Sequence, residues 1–90
     1  MEILTSNDVK KVVSSIEKEW NVGIEKIIVK LGRTSDFSKK TLKFYIKRCD
    51  EEIITRISSF ETCVSWPALD LVFEEAGFAG NHISGYEKIV

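Results

Sequence analysis

Residues Thr41–Phe60 read TLKFYIKRCDEEIITRISSF, and this stretch decides the fold. Its first half alternates apolar side chains with basic and aromatic ones: Leu42, Phe44 and Ile46 against Lys43, Tyr45 and Lys47. A period of two residues is typical of a β-strand with one buried face. The second half, Ile53–Phe60, alternates less regularly and follows a polar segment without the Gly or Asn of a tight primed turn. The stretch therefore predicts a β-hairpin closed by a four-residue loop.

The alternation also predicts how the two strands pair. Four residues of the first strand lie opposite four of the second: Phe44 opposite Ile57, Ile46 opposite Thr55, Tyr45 opposite Arg56 and Lys47 opposite Ile54. The first two pairs face the core, and the last two face away from it. A slip of one residue would bury Lys43 and Lys47, so the pattern itself favours this register.

Amphipathic helices are predicted before and after the strands. The first covers about residues 6–21, with Thr5 or Ser6 as its cap, Asp8 in its first turn and Leu4 packed against Val9. Its apolar stripe is Val9, Val12, Val13, Ile16 and Trp20. The second helix covers about residues 66–76 and has the stripe Leu69, Val72, Phe73 and Ala76.

The predicted order of elements is αβββα within one domain, residues 1–90. The strands are expected at about residues 25–31, 41–48 and 53–60, and residues 80–90 form a C-terminal tail with Gly80, Asn81 and Gly85 as breakers. We expect an α+β fold with a three-stranded antiparallel meander sheet and both helices packed on one face. The last five residues either add a short edge strand or hang free.

A polar loop, Arg33–Lys40, connects the first two strands and reads RTSDFSKK. Phe37 is its single aromatic residue. We expect a mobile connector whose Phe37 packs back against the sheet, and a contact element for a partner is the alternative.

The composition excludes several classes of protein. Hydrophobic residues make up 43% of the chain and charged residues 30%, which is ordinary for a globular domain and argues against disorder. No apolar run approaches the roughly 20 residues that span a bilayer, and no signal-peptide core is present at the N-terminus. We therefore expect a cytoplasmic protein that binds no membrane. Cys49 and Cys63 fit free thiols better than a disulfide in that compartment.

The charges are segregated along the chain, although the net charge is only −1. Residues 30–48 contain seven basic side chains and one acidic one, whereas residues 50–90 contain eight acidic and two basic. The alternation places Lys26, Ile28 and Ile54 on the outer sheet face beside several basic residues. The candidate binding residues of this face and its loop are Lys30, Arg33, Lys39, Lys40, Lys43, Tyr45, Lys47 and Arg56. The second candidate surface is the acidic side of the second helix: Asp70, Glu74 and Glu75.

These surfaces favour a small non-enzymatic domain that binds another protein as an inhibitor or adaptor. Nucleic-acid binding is the alternative, with Tyr45 as a stacking platform and the lysines on phosphates. The sequence pI of about 5.8 argues against that alternative, because nucleic-acid-binding domains are usually basic. The other interpretation of the pattern is that the lysines merely solubilise an exposed sheet face. We expect a monomer or a homodimer.

No catalytic, metal or cofactor site is predicted. His82 is the single histidine and lies in a glycine-flanked tail without an acidic partner in the sequence pattern. Cys49 and Cys63 lack the CxxC spacing of a metal or redox site. The acidic run at residues 50–52 is interpreted as a solvated turn, because a calcium loop alternates its ligands around a Gly bend.

The αβββα order is shared with double-stranded RNA-binding domains and with the small HicA-type RNase toxins. The segment LDLVFEEAGF, Leu69–Phe78, resembles the closing helix of the HicA-type proteins. That resemblance implies a third hypothesis, a small RNase-type toxin that would depend on His82. The Gly-Ser-His strand motif of the HicA-type proteins has no counterpart here, and the second helix lacks the basic start of the RNA-binding domains. The chain is therefore assigned to neither family.

Overall fold

The structure is a computed structural model that describes residues 2–20, 23–50, 52 and 54–90. Two helices and five strands follow one another as α1 (Ser6–Glu19), β1 (Ile24–Arg33), β2 (Lys40–Arg48), β3 (Ile54–Thr62), α2 (Trp66–Glu75), β4 (Ala79–Asn81) and β5 (Gly85–Ile89). The strands form one antiparallel sheet in the order β3-β2-β1-β5-β4. The α+β class is confirmed. The predicted end of the first helix at Asn21 and start of the third strand at Ile53 lie outside the described residues.

The predicted three-stranded meander is incomplete, because residues 79–89 form a hairpin of two further strands and not a tail. The alternative prediction of a short last strand is correct, but that strand lies inside the sheet and not at its edge. The Asn81 side chain holds its turn by accepting hydrogen bonds from the backbone N–H groups of Ile83 and Ser84, at 2.9 and 3.0 Å. A Cβ atom on Gly80 would lie 2.2 Å from the carbonyl oxygen of Gly85, so the close approach of the two strands requires glycine. β5 then pairs with β1 and takes an inner position in the sheet, where its Tyr86 is buried.

The β2–β3 pairing agrees with the predicted register except at one position. Ile46 lies opposite Thr55, Tyr45 opposite Arg56 and Lys47 opposite Ile54, as predicted. Phe44, however, lies opposite Ser58, because the register shifts between Phe44 and Tyr45. A bulge of this kind adds one residue to one strand and leaves it without a direct partner. Ile57 has no direct partner in this pairing, and both Ile57 and Phe60 are partly buried and pack against the core.

One core joins both helices to the inward face of the sheet. Its helical members are Val9, Val12, Val13 and Ile16 of α1 and Leu69, Phe73 and Ala76 in or next to α2. Its strand members are Ile27, Val29, Leu42, Phe44, Ile46 and Tyr86. The Phe73 ring lies at the centre, with its centroid 4.2 Å from that of Tyr86, 5.2 Å from Phe78 and 6.3 Å from Phe44. None of the described residues on the other face of the sheet belongs to this core.

The start of α1 has the predicted cap but a different apolar anchor. The Thr5 hydroxyl accepts from the Asp8 backbone N–H at 3.3 Å, and the Asp8 carboxylate accepts from the Thr5 backbone N–H at 3.0 Å. This reciprocal arrangement is a capping box. Leu4 is half exposed, whereas Ile3 is fully buried and its N–H donates to the carbonyl oxygen of Glu61 at 2.8 Å. The N-terminal residues therefore run along the outer edge of β3.

Candidate functional site

The sheet face opposite the helices is the first candidate, and we name it the open sheet face. Its predicted members are Lys26, Ile28, Lys30, Lys43, Tyr45, Lys47, Ile54 and Arg56, and β5 adds Glu87 and Ile89. Cross-strand partners share a face, so the register arranges these residues in rows. The central row runs across four strands as Arg56, Tyr45, Ile28 and Glu87. It is thus basic at one end, apolar and aromatic in the middle, and acidic at the other end.

The neighbouring row extends the apolar surface. It runs Ile54, Lys47, Lys26, Ile89, and its two terminal isoleucines are 41% and 69% exposed. On the other side of the central row, Lys30 and Lys43 are cross-strand neighbours, and the Lys30 Nζ lies 4.9 Å from the centre of the Tyr45 ring. A cation over an aromatic face is a favourable contact that fixes the ring without covering its whole surface.

The charges on the open sheet face are mixed, and not uniformly basic. The Lys47 Nζ lies 2.7 Å from Glu25 Oε2, and the Lys26 Nζ lies 3.4 Å from Glu87 Oε2. The hydrogen bond between Lys47 and Glu25 lowers the pKa of the glutamate and raises the pKa of the lysine. In the described part of the chain, Lys43 and Arg56 have no such carboxylate partner. Two of the five cations on this face are therefore neutralised locally.

Three of the predicted binding residues lie elsewhere. The Lys39 Nζ lies 3.0 Å from Glu2 Oε2 and 3.7 Å from Glu61 Oε2, at the edge of β3. Arg33 and Lys40 are cross-strand partners at the end of the β1–β2 ladder, and both lie over the Trp66 ring of α2. The single basic site predicted from the sequence is thus divided into three separate places.

The second candidate is a group of residues around α2 and the β4–β5 turn, which we name the Trp66–His82 cluster. It comprises Arg33, Lys40, Trp66, Asp70, His82 and Tyr86. The Asp70 carboxylate accepts hydrogen bonds from the His82 backbone N–H at 2.8 Å and from the Tyr86 hydroxyl at 2.7 Å. The Nδ1 atom of His82 lies 2.8 Å from Asp70 Oδ2. Since an ionised carboxylate can only accept, Nδ1 carries the proton in this arrangement.

The hydrogen bonds to Asp70 hold the His82 ring beside the ring of Trp66. The His82 ring lies nearly parallel to the Trp66 ring, with a centroid separation of 5.9 Å and an interplanar angle of 21°. The Lys40 Nζ lies 4.9 Å and the Arg33 Cζ 5.6 Å from the Trp66 ring centre. The imidazole Nε2 has no hydrogen-bond partner among the described residues, and the His82 side chain is 32% exposed. An imidazole held in this way can accept a proton or a hydrogen bond at Nε2.

The contact between Asp70 and Tyr86 shifts the pKa values of both side chains. The hydrogen bond from Tyr86 lowers the pKa of Asp70 below its ordinary 3.8, and the hydrogen bonds from His82 act in the same direction. Burial raises the pKa of Tyr86 above its ordinary 10.0, and the bond to Asp70 raises it further. Asp70 therefore faces the β4–β5 hairpin, and of the predicted acidic surface only Glu74 and Glu75 are exposed.

The sequence did not indicate this cluster, because His82 was expected without an acidic partner. Asp70 and His82 meet only because the last hairpin folds back beside α2. The available signal was Gly80, Asn81 and Gly85, which supply the turn that brings His82 to α2. A turn interpretation of these residues would have predicted a hairpin with His82 in its turn.

Hydrogen bonds to Asp36 connect residues within the β1–β2 loop, and Phe37 faces the exterior. The Asp36 carboxylate accepts from the Thr34 hydroxyl at 2.7 Å, and from the backbone N–H and the hydroxyl of Ser38 at 3.0 and 2.8 Å. These bonds lower the pKa of Asp36 from 3.8 to about 2. Phe37 has a φ of 59° and is 71% exposed. The expectation that Phe37 packs back against the sheet was wrong.

Both cysteines are free and exposed. The Cys63 thiol donates to Glu2 Oε1 at 3.0 Å, and this hydrogen bond raises the pKa of Cys63 above its ordinary 9.0. Within the described ranges, no group of three or more His, Cys, Asp and Glu side chains is arranged to hold a metal ion. Neither helix in that part of the chain has the length and apolar character needed to cross a membrane.

Comparison of the chain with models of known protein families, with curated proteins and with solved structures finds no match. The geometry of the two candidate surfaces is therefore the basis for proposing a function.

Proposed function

We propose that this chain is a small, cytoplasmic, non-enzymatic domain that binds another protein on its open sheet face and acts as an inhibitor or adaptor. The observation that carries the proposal is the central row of that face, in which Tyr45 and Ile28 lie between Arg56 and Glu87. An apolar and aromatic centre inside a charged rim is the usual anatomy of a protein–protein interface.

The charges of the face favour an acidic patch on the partner. Lys43 and Arg56 have no carboxylate partner among the residues described, and they lie beside Tyr45, Lys43 on its own strand and Arg56 on the next. Cations of this kind steer an acidic partner and set its orientation, while the aromatic centre supplies most of the affinity. Glu87 at the opposite end of the row would discriminate against a partner that is acidic throughout.

Nucleic-acid binding through the open sheet face is the alternative, and the same ion pairs weigh against it. A polyanion binds by releasing counterions from many phosphates, and each neutralised cation removes one such contact. Lys26 and Lys47 already pair with Glu87 and Glu25. A protein partner tolerates mixed charges because its own surface carries both signs.

An adaptor needs a second surface, and α2 offers one. Glu74 and Glu75 are exposed at the end of α2. This helix packs on the side of the sheet opposite to the open sheet face. A basic partner on α2 and an acidic partner on the open sheet face would not compete for the same residues.

The test is affinity capture from a nuclease-treated extract of the source cell, with the immobilised chain as bait. The variant Lys43→Glu/Arg56→Glu reverses two charges of the open sheet face, and Lys10→Glu/Lys18→Glu reverses two exposed charges of α1 as a matched control. We expect a protein that the wild type and the control capture and the face variant does not. With that protein purified, the face variant should raise the Kd at least about tenfold. Equal capture of that protein by both variants, or a protein that is captured only when nucleic acid is intact, would contradict the proposal.

The RNase-type hypothesis gains one specific observation, the pairing of His82 with Asp70 that leaves Nε2 available as a proton acceptor. It is tested by incubating the purified chain with single-stranded RNA and comparing the wild type with His82→Ala. Cleavage that disappears in the variant would support an enzyme and contradict the non-enzymatic proposal.

A further inference from the structure

Two cations in the Trp66–His82 cluster lie over an aromatic ring and not beside an acid. Arg33 and Lys40 contact the ring of Trp66, and neither has a carboxylate partner in the described part of the chain. Their neighbour Lys39, by contrast, is paired with Glu2. A cation over a ring in water is held weakly, so both side chains are available to exchange that contact for a stronger one with an anion.

The same region carries three partly or largely exposed rings. Trp66 and His82 are stacked, and the Asp70 hydrogen bonds hold the imidazole in place. Phe37 projects from the loop that directly joins Arg33 to Lys40. The hydrogen bonds of Asp36 order this loop, so the exposed ring is presented on a defined backbone. Phe37 has a positive φ of 59°, which is uncommon for a bulky residue.

We propose that Phe37, Arg33, Lys40, Trp66 and His82 form a binding strip for single-stranded nucleic acid. Bases stack on the rings, and the two cations bind phosphates. Sequence-tolerant binding of single strands generally combines aromatic platforms with cations in this way, because every base has a face that can stack. Arg33 takes part in both kinds of contact, because its guanidinium can bind a phosphate while it remains against an aromatic ring.

This strip differs from the nucleic-acid site that the sequence suggested. Tyr45, Lys43 and Lys47 lie on the open sheet face, whereas Trp66 belongs to α2 on the helical side. The protein-binding proposal and this one therefore involve different residues, and either can fail alone. The His82 Nε2 adds a hydrogen-bond position at the end of the strip, because Asp70 already occupies Nδ1.

The experiment uses Trp66 as its own reporter. In a Trp20→Phe background, Trp66 is the single tryptophan, because the sequence contains two. Short 5′-labelled oligouridylate and oligothymidylate are titrated at several salt concentrations, with tryptophan fluorescence and label anisotropy followed together. We expect quenching of Trp66 and a slope of log K against log salt of about −1.4, the value for two phosphate contacts on a single strand.

Paired variants locate the site. Arg33→Ala/Lys40→Ala should weaken binding at least about tenfold and flatten the salt dependence, while Lys10→Ala/Lys18→Ala on α1 should leave both unchanged. Trp66→Ala should also weaken binding, and Trp66→Phe should recover most of it because the stacking face remains. Thermal unfolding of each variant confirms that it is folded.

Three results would overturn the proposal. The first is the absence of quenching and anisotropy change for both oligonucleotides at low salt. The second is a folded Trp66→Ala variant with the affinity of the wild type. The third is binding that Lys43→Glu/Lys47→Glu abolishes and Arg33→Ala/Lys40→Ala does not, which would locate the nucleic acid on the open sheet face.

Discussion

Asp70 Oδ2 lies 2.8 Å from Nδ1 of His82, and this contact ties the last hairpin of the chain to α2. The other oxygen of the same carboxylate accepts from the His82 backbone and from the Tyr86 hydroxyl. One side chain of α2 therefore holds both the turn and the inner strand of the β4–β5 hairpin. Because β5 pairs with β1, this carboxylate stabilises the five-stranded sheet as well as the orientation of the imidazole.

The first prediction concerns the Tyr86 hydroxyl. Tyr86→Phe keeps the buried ring and removes its hydrogen bond to Asp70, and it should lower the free energy of unfolding by about 1–2 kcal/mol. Tyr45→Phe is the matched control on the open sheet face and should change stability by no more than about 0.5 kcal/mol. Urea denaturation of both variants measures the difference. Equal effects would mean that the hydrogen bond between Tyr86 and Asp70 adds nothing measurable to stability.

The second prediction concerns the pH dependence of the β1–β2 loop. The hydrogen bonds from Thr34 and Ser38 lower the pKa of Asp36 from 3.8 to about 2. Because the folded value lies below the unfolded one, these bonds stabilise the fold above pH 3.8 and are lost as the pH falls through about 2. An NMR titration of the Asp36 carboxyl carbon should give the low midpoint, and Thr34→Val should raise it. A midpoint near 3.8 in the wild type would show that the loop is not ordered as described.

The third prediction concerns the two thiols. The hydrogen bond to Glu2 raises the pKa of Cys63, so less thiolate is present at neutral pH and alkylation is slow. Glu2→Gln should therefore accelerate the reaction of Cys63 with iodoacetamide, as measured by mass spectrometry of the modified peptides. Cys49 in the same chain is the internal control, and its rate should not change. An unchanged Cys63 rate would contradict the contact with Glu2.

The fourth prediction concerns the aromatic centre of the core. Phe73 stacks on Tyr86 and contacts Phe44 and Phe78, and it is fully buried. Phe73→Ala should cost about 3–5 kcal/mol, because it removes a large apolar side chain and leaves a cavity. Leu71→Ala, at an exposed position of the same helix, should change stability by no more than about 0.5 kcal/mol. Denaturant unfolding measures the free energy of unfolding of both variants. Similar losses of stability in Phe73→Ala and Leu71→Ala would show that Phe73 is not at the centre of the core.

The fold was predictable wherever one face of an element is buried along its length. The period-two pattern of Leu42 to Lys47 predicted the open sheet face because each strand there buries alternate side chains. The β4–β5 hairpin was missed because β4 has three residues, all exposed, and so carries no periodic signal. Its glycines were interpreted as chain breakers, although they supply the positive φ values of the turn and of the close strand approach.

The candidate sites were predictable only in part, for a related reason. Residues that share a strand face, such as Tyr45 and Lys47, follow directly from the alternation. Ion pairs such as Lys26 with Glu87 depend on the β1–β5 pairing, which the sequence pattern did not reveal. The contacts of Trp66 with Arg33 and Lys40 depend on where α2 begins relative to the end of the β1–β2 ladder. No local pattern encodes that relation.

The measurement that tests the protein-binding account most directly is site-specific photo-crosslinking in the source cell. The substitution Tyr45→p-benzoylphenylalanine puts the reactive group at the centre of the open sheet face, and the same group at Ser14 on the exposed side of α1 is the control. A protein partner on the open sheet face should give a discrete protein adduct at position 45 that resists nuclease, is absent at position 14, and disappears with Lys43→Glu/Arg56→Glu. An adduct with nucleic acid at position 45, or no adduct there at all, would contradict binding of a protein on this face.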